Sequence, residues 1–208
     1  IYWKETDTDL RSCLRETLEN FKEMKEKEIR AVYTRDTIRI YQAYNATIAR
    51  EAVSKGTFGS LFKMERMTWI KPSFLWMMYR CGWGTKESQE HILAIDIKRE
   101  AFDYIVKHAV ISSYQEAEGM SQEQWREQVK NSDIRCQWDP EKDIWGNSLP
   151  YRSIQLGLRG KAVYSYVNEW IVHIEDITDY VTDLYEKRER GEDIRLLLPK
   201  EQVYVIEY

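Results

Sequence analysis

The chain has 208 residues, of which 43% are hydrophobic and 32% charged, and its formal net charge is -4 at pH 7. This length suits one domain better than two, and the composition supplies enough apolar side chains for a packed core, which argues against a disordered protein. The negative charge excludes nucleic-acid binding through the global field, so such binding would need a local basic patch.

The N-terminal residues carry a helical pattern. Apolar side chains recur every three or four positions among charges, at Leu10, Leu14, Leu18, Phe21 and Met24. This spacing predicts an amphipathic helix over residues 10–28. We therefore treat residues 1–28 as an N-terminal segment in front of a core domain that covers residues 29–185.

The core domain begins with a strand and a capped helix. Residues 37–44 (TIRIYQAY) alternate and are rich in β-formers, which predicts a strand. Asn45 is a favourable N-cap for a helix over residues 46–55, and Gly56 is a typical C-terminal stop.

The next segment, residues 64–83, is the densest in aromatic and cationic residues. Because Pro72 disfavours helix before it, residues 67–71 should be extended, and Pro72 can start a helix over residues 74–80 that Gly82 and Gly84 end. A continuous apolar run at residues 92–97 is typical of a buried strand, and a helix follows over residues 99–108.

The second half of the core mixes further helices and strands. Ser121 and Gln124 resemble a capping box for a helix through Lys130. Strands are expected at residues 134–143, which run into an Asp-Pro turn, and at residues 151–158. Helices are then expected over residues 161–171 and 174–185.

The C-terminal residues 186–208 are interpreted as a charged linker and tail. The linker EKRERGED is a solvated charge run. The tail QVYVIEY is either an edge strand or an unanchored end.

Three clusters of polar and aromatic residues are candidate sites. In the first, Lys71 precedes Pro72 in extended backbone near three tryptophans and further cations, a combination that suits the wall of an anion-binding pocket. The second joins the rings and amide of the first strand to Arg30 and Tyr33. The third comprises Gln137, Trp138, Asp139, Glu141, Arg152, Ser153 and Gln155. Core packing of the aromatic side chains and a turn-shaping role for Asp139 remain the structural alternatives.

Metal and redox chemistry are not indicated. The cysteines (Cys13, Cys81 and Cys136) and the three histidines are scattered, which argues against a disulfide framework and a metal site. Nucleotide, hydrolase and metalloprotease signatures are absent from the sequence. No apolar run approaches a membrane span and the start lacks a signal-peptide pattern, so we expect a cytoplasmic protein without a membrane partner.

Four segments together resemble one known family. They are IRAVYTRDTIRIYQAY, MTWIKPSFLWMMYRCGW, RCQWDPEKD and YRSIQLGL. The resemblance is to the domain-of-unknown-function 4291 family of bacteria and fungi, and it runs from about residue 29 to residue 178.

A remoter resemblance carries a mechanism. IYQAYNATIAREAVSKG is similar to the opening of ADP-ribosyltransferase folds, and WIKPSFLWMMY to a segment of their DNA-modifying branch, which carries its catalytic Glu on a strand where YRSIQLGL lies here. This resemblance implies a single α+β domain with a mixed or antiparallel split sheet flanked by helices. It also implies NAD as the cofactor, no metal, and DNA or RNA as the expected acceptor.

The resemblance also assigns roles to residues of this chain. The catalytic positions are Gln42, Lys71 and Gln155, where the related folds carry His, Arg and Glu. Cofactor contacts are expected from Arg30, Tyr33, Tyr41, Tyr44, Ser73, Trp76, Arg80 and Arg152. Because an amide at residue 155 cannot supply charge stabilisation, three alternatives remain: the register of the resemblance differs, another acid such as Glu65, Asp139 or Glu141 serves, or the chain only binds.

Two further functions remain open from the sequence. One is a non-catalytic nucleic-acid or nucleotide binder with Trp and Tyr platforms flanked by Lys and Arg. The other is a structural or partner-binding protein whose aromatic residues all belong to the core.

Overall fold

The fold is that of a computed structural model, which describes residues 27–206. The helix predicted over residues 10–28 lies outside these residues except at its end. There, Lys27 pairs with Arg152 in extended backbone, so the last two residues are not helical. Within residues 27–206, no helix combines the length and the apolar character that crossing a membrane requires.

Helices and strands are interspersed along the described chain. The helices are α1 (Ala46–Lys55), α2 (Phe74–Cys81), α3 (Arg99–His108), α4 (Gln122–Asn131), α5 (Gly160–Ser165) and α6 (Thr178–Glu189). The strands are β1 (Arg30–Ala31), β2 (Thr37–Tyr44), β3 (Thr68–Ile70), β4 (His91–Lys98), β5 (Val110–Ile111), β6 (Ile134–Lys142), β7 (Ser148–Leu158), β8 (Ile171–Asp176) and β9 (Gln202–Val203). The predicted α+β class is confirmed.

The strands form two main sheets that meet at one point. One sheet has the order β2-β4-β8 and the other the order β3-β7-β6-β5. All pairs in both sheets are antiparallel except the parallel pair of β5 and β6. In residues 27–206, a single backbone bridge joins the two sheets, from Tyr41 on β2 to Lys71, the residue that follows β3. The short strands β1 and β9 pair separately.

The three-stranded sheet is covered on both faces. In its central strand β4, Leu93, Ile95 and Ile97 point into the larger apolar core. Ile92 and Ala94 point into a second core with α2 and α6. Because side chains alternate across a strand, a run that is apolar throughout fills two cores at once, as the predicted buried strand requires.

Among residues 27–206, the four-stranded sheet is fully covered on one face, whereas helix α2 covers only part of the other face. The apolar side chains of this sheet, such as Ile70, Ile154 and Leu156, belong to the larger core. On the other face of the same strands lie polar residues, including Gln137 and Gln155, which are directly opposite each other. This half-covered sheet forms the floor of the site described below.

Local capping signals in the sequence define several helix ends. The Asn45 side chain accepts a hydrogen bond from Ile48 N at the start of α1, and Gly56 ends α1 in the left-handed region with φ 71°. The capping box of α4 forms between Ser121 and Gln124. At α2 the N-cap is Ser73, so Pro72 lies just before the helix rather than in its first turn.

The helices predicted over residues 161–171 and 174–185 are wrong in their middle part. After α5, a π-helical turn over Tyr166–Trp170 leads into strand β8, and α6 starts only at Thr178. Pairing of β8 with β4, with Ile174 opposite Ile95, satisfies the backbone of this segment. The spacing of its isoleucines also fits a helix, which caused the error.

The C-terminal residues up to 206 lie against the core. Strand β9 pairs with β1, and Tyr204 is buried. The Glu201 carboxylate accepts a hydrogen bond from Phe74 N at the start of α2. The charge run is only partly solvated, because Arg188 lies over the rings of Trp83 and Tyr185.

Candidate functional site

A cleft of about 930 Å³ opens where the two sheets diverge. Its floor is the partly covered face of the four-stranded sheet, and its walls are the end of β2, the loop before β3, and helix α2. Six of the residues to which the remoter resemblance assigns a role line this cleft: Gln42, Tyr44, Lys71, Trp76, Arg80 and Gln155. The three positions assigned to catalysis by the resemblance are therefore brought to one cleft.

The floor follows from strand alternation. Trp69 on β3 and Lys71, the residue after Ile70 at the end of β3, share a face with Gln155 on β7 and with Gln137 and Asp139 on β6. Residues two apart on a strand point the same way, so the intervening residues fill the core while these remain in the cleft.

A glycine makes room for the indole of Trp69. Gly157 is directly opposite Trp69, and a Cβ atom on Gly157 would lie 3.1 Å from two atoms of the Trp69 ring. The ring therefore lies against the bare backbone of β7, and a flat aromatic surface forms part of the cleft floor.

Gln42 holds the two sheets together where they part. Its Nε2 donates hydrogen bonds to Thr68 Oγ1 at 2.7 Å and to the carbonyl oxygen of Trp69 at 3.1 Å. Its Oε1 accepts a hydrogen bond from the hydroxyl of Tyr166 at 2.7 Å. The Gln42 side chain thus links β2 to β3 by hydrogen bonds next to the one backbone bridge between the sheets. Both ends of its amide are hydrogen-bonded to other parts of the protein.

Lys71 is a buried cation at the edge of the cleft. Only 6% of the residue is exposed, and Nζ donates to the carbonyl oxygen of Trp69 at 3.3 Å and lies 5.5 Å from the centre of the Trp76 ring. It forms no ion pair with any carboxylate of residues 27–206. Burial, and secondarily the charge of Arg80, lower the pKa of the Lys71 amine to about 8.

Asp139 is held by two amides. Its Oδ1 accepts a hydrogen bond from Gln137 Nε2 at 2.8 Å, and its Oδ2 accepts one from Gln155 Nε2 at 2.6 Å. The polar groups of β6 and β7 are therefore each other's partners, as two facing strands require when polar groups are half-buried.

The cleft is strongly cationic. Four cations from residues 27–206 line it: Lys63, Arg66, Lys71 and Arg80. In the part of the chain that the structure describes, Asp139 is its one lining carboxylate. This local excess of positive charge in a protein of net charge -4 favours an anionic ligand at this place.

The other residues expected to contact a cofactor lie outside the cleft. The Arg30 side chain pairs with Glu28 and lies over the ring of Tyr151. The Tyr33 hydroxyl donates to the carbonyl oxygen of Val203. The Arg152 guanidinium donates to the carbonyl oxygen of Trp138.

Two of these expected contacts, Tyr41 and Ser73, have structural roles near α2. The Tyr41 ring is buried edge-on against Phe74, and its hydroxyl has no hydrogen-bond partner among residues 27–206. The Ser73 hydroxyl caps α2 by accepting from Trp76 N.

A pair of carboxylates lies at the start of α2 rather than in the cleft. Burial raises the pKa of Glu141, although hydrogen bonds from Lys142, Ser73 and Ser153 oppose the shift. Burial also raises the pKa of Glu201 to about 8, and the neighbouring Glu141 adds to this shift. Sequence reasoning found Glu141 as a candidate acid but missed Glu201.

Sequence reasoning also missed Thr68, Tyr166 and Gly157. Thr68 and Tyr166 complete the hydrogen bonds of Gln42, and Gly157 accommodates Trp69. Only the glycine inside a predicted strand was a usable signal, because such a residue often marks a close approach. Among the described residues, no group of three or more His, Cys, Asp and Glu is arranged to hold a metal ion.

The fold and the cleft together define an α+β domain with a cation-rich pocket between two diverging sheets. The chain belongs to the family described as Domain of unknown function (DUF4291), whose family model matches residues 28–204. This confirms the first of the two resemblances drawn from the sequence. A search of the curated proteins found no match.

Proposed function

We propose that this domain binds NAD or a related nucleotide in the cleft and transfers its ADP-ribosyl group to an acceptor, with a nucleic acid as the expected acceptor class. The observation that carries the proposal is Lys71, a buried cation without a carboxylate partner among residues 27–206. A buried charge is costly unless it is paired, and a bound phosphate would supply the missing partner.

The remaining lining residues support a nucleotide rather than a simple anion. Arg66 and Arg80 add positive charge to the same cleft, and arginine binds phosphate through paired hydrogen bonds. The rings of Trp69 and Trp76 offer flat apolar surfaces for a base or a nicotinamide. A volume of about 930 Å³ lies within the usual range for small-molecule sites.

The proposed reaction exchanges one bond for another. The bond between the ribose C1′ and the nicotinamide nitrogen breaks, and its electron pair leaves with nicotinamide. A nucleophilic atom of the acceptor forms a bond to C1′ and gives up one proton. Positive charge builds up on the ribose between these events, so the site must stabilise it.

The test measures binding and transfer separately. Titration calorimetry with NAD should give a measurable affinity for the wild-type protein, and labelled NAD mixed with DNA, RNA and protein acceptors should give a labelled product. Arg80→Ala should weaken NAD binding about tenfold or more because it removes a charged contact. The matched control is Arg126→Ala, an exposed arginine on α4 that does not line the cleft. A wild-type protein without binding, transfer or NAD hydrolysis would refute the proposal.

One observation favours a second candidate, a nucleotide or nucleic-acid binder without catalysis. The amide of Gln42, one of the positions assigned to catalysis, is fully engaged by Thr68, Trp69 and Tyr166. In this case filter binding across a salt series should show affinity that falls with salt, and no labelled product should form from NAD.

A further inference from the structure

We propose that Asp139 is the carboxylate that acts on the reacting ribose, with Gln155 and Gln137 as its positioning residues. This inference rests on the proposed function and identifies which group of the cleft supplies the acid that the sequence lacks at residue 155.

Of the three acids considered from the sequence, only Asp139 lies where it can reach a ligand in the cleft. Among residues 27–206 it is the one carboxylate that lines the cleft. Of the two other acids considered from the sequence, Glu65 is exposed and does not line the cleft. Glu141 is 4% exposed and accepts a hydrogen bond from its neighbour Lys142 N at 2.8 Å.

The two glutamine amides orient the Asp139 carboxylate but leave part of its hydrogen-bonding capacity free. An ionised carboxylate only accepts hydrogen bonds, so both glutamines must present their NH₂ groups to it. Each oxygen of Asp139 then receives one such bond and retains capacity for another. The free capacity can accept hydroxyl groups of a bound ribose or the proton of the acceptor.

Strand register explains why the acid can sit on β6. Gln155 on β7 is directly opposite Gln137, and Asp139 lies two residues farther along β6 on the same face. The carboxylate of Asp139 therefore reaches to 2.6 Å from the amide of residue 155. The resemblance implies an acid at residue 155 on β7; in the proposed site the acid lies on β6 instead, and Gln155 donates a hydrogen bond to it.

The charge of Asp139 is suited to both parts of the proposed reaction. As C1′ loses nicotinamide, the nearby carboxylate stabilises the positive charge on the ribose. As the acceptor forms its bond to C1′, the carboxylate takes the proton that the acceptor loses. Nicotinamide leaves with the electron pair of the broken bond, so no further reactant is needed.

The decisive experiment compares Asp139→Asn with Glu65→Gln under single-turnover conditions with labelled NAD. Asp139→Asn should lower the transfer rate about 10²–10⁴-fold. Its Kd for NAD should change less than about threefold, which also shows that the variant is folded. Glu65→Gln, which removes an acid from a neighbouring loop, should leave both quantities unchanged.

A charge relocation tests the geometry itself. In the double variant Asp139→Asn/Gln155→Glu, the carboxylate lies on β7 and the amide on β6. We expect recovery of at least about tenfold over Asp139→Asn, because the charge stays within hydrogen-bond reach of its former position. Gln155→Ala should lower the single-turnover transfer rate with little change in the Kd for NAD, since the carboxylate loses the donor that orients it, and the conservative variant Gln155→Asn should lower the rate less.

The outcomes separate this inference from the proposed function. If the wild-type protein transfers ADP-ribose and Asp139→Asn transfers it equally well, the role of Asp139 is refuted and the function stands. If Asp139→Asn binds NAD more than about tenfold more weakly at an unchanged transfer rate, Asp139 is a binding residue only and the inference fails. A wild-type protein that neither binds nor transfers overturns both.

Discussion

The two sheets of this domain are made from similar strands but are covered differently. Strand β4 of the three-stranded sheet is apolar along most of its length and has a core on each face. Strands β6 and β7 of the four-stranded sheet alternate, with one face in the core and the other in the cleft. The fully covered sheet provides stability, and the half-covered sheet leaves room for polar groups whose partner can be a ligand.

The largest expected loss of stability comes from a substitution in the fully covered, three-stranded sheet. Ile95→Ala, at a fully buried position of β4, should lower the free energy of unfolding by about 2–5 kcal/mol, because it leaves a cavity in the larger core. Gln155→Ala on the half-covered sheet should cost only about 1 kcal/mol. Urea denaturation of both variants measures the difference, and equal losses would contradict the comparison.

A smaller loss is expected from crowding the cleft floor. In Gly157→Ala, the added Cβ would lie 2.7 Å from the sulfur of Met67 and 3.1 Å from the Trp69 ring, so both side chains must shift. We expect a loss of about 1–3 kcal/mol and a change in tryptophan fluorescence. NAD affinity should fall as well, and an unchanged affinity would show that Trp69 does not contact the ligand.

Lys71, which follows strand β3 of the half-covered sheet, should lower the free energy of unfolding. Because the pKa of Lys71 is lowered to about 8, its burial penalty applies fully below that pH and is relieved as pH rises toward the unfolded-state value of 10.5. Lys71→Met should therefore raise the free energy of unfolding at pH 7 by about 1–3 kcal/mol and weaken nucleotide binding. A destabilised Lys71→Met protein would show that the lysine has an internal role.

The smallest expected effect concerns the carboxylates at the start of α2. The pKa of Glu201 is raised to about 8 from 4.5, so its stabilising contribution is present below pH 4.5 and is lost as pH rises to about 8. At pH 8, Glu201→Gln should raise Tm by about 2–4 °C, since its amide oxygen can still accept from Phe74 N. Below pH 4.5 the two proteins should melt alike in a thermal scan.

Local signals in the sequence predicted much of the fold. The caps at Asn45 and Ser121, the glycine stop at Gly56 and the alternation of residues 37–44 all act within a few residues, and the corresponding elements are present. Strand β8 was missed because it is an edge strand with one fully buried residue, Ile174, so its pattern is weak.

The site could be predicted only in part. Gln42, Lys71 and Gln155 were found as candidates, and the structure brings them to one cleft. Their roles depend on long-range partners that sequence spacing does not reveal. Tyr166, which engages Gln42, lies 124 residues farther along the chain. A turn-shaping role for Asp139 stayed open from the sequence because Pro140 follows it, whereas the residue lies within strand β6.

Among residues 27–206, the backbones of the two sheets are bridged at one place, Tyr41 with Lys71, and the sheets diverge from there. At this bridge the amide of Tyr41 donates a hydrogen bond to the Lys71 carbonyl oxygen at 2.7 Å. The rate of deuterium uptake at the Tyr41 amide therefore reports how often the two sheets separate at this bridge. A ligand that bridges them would slow this uptake without touching the amide itself.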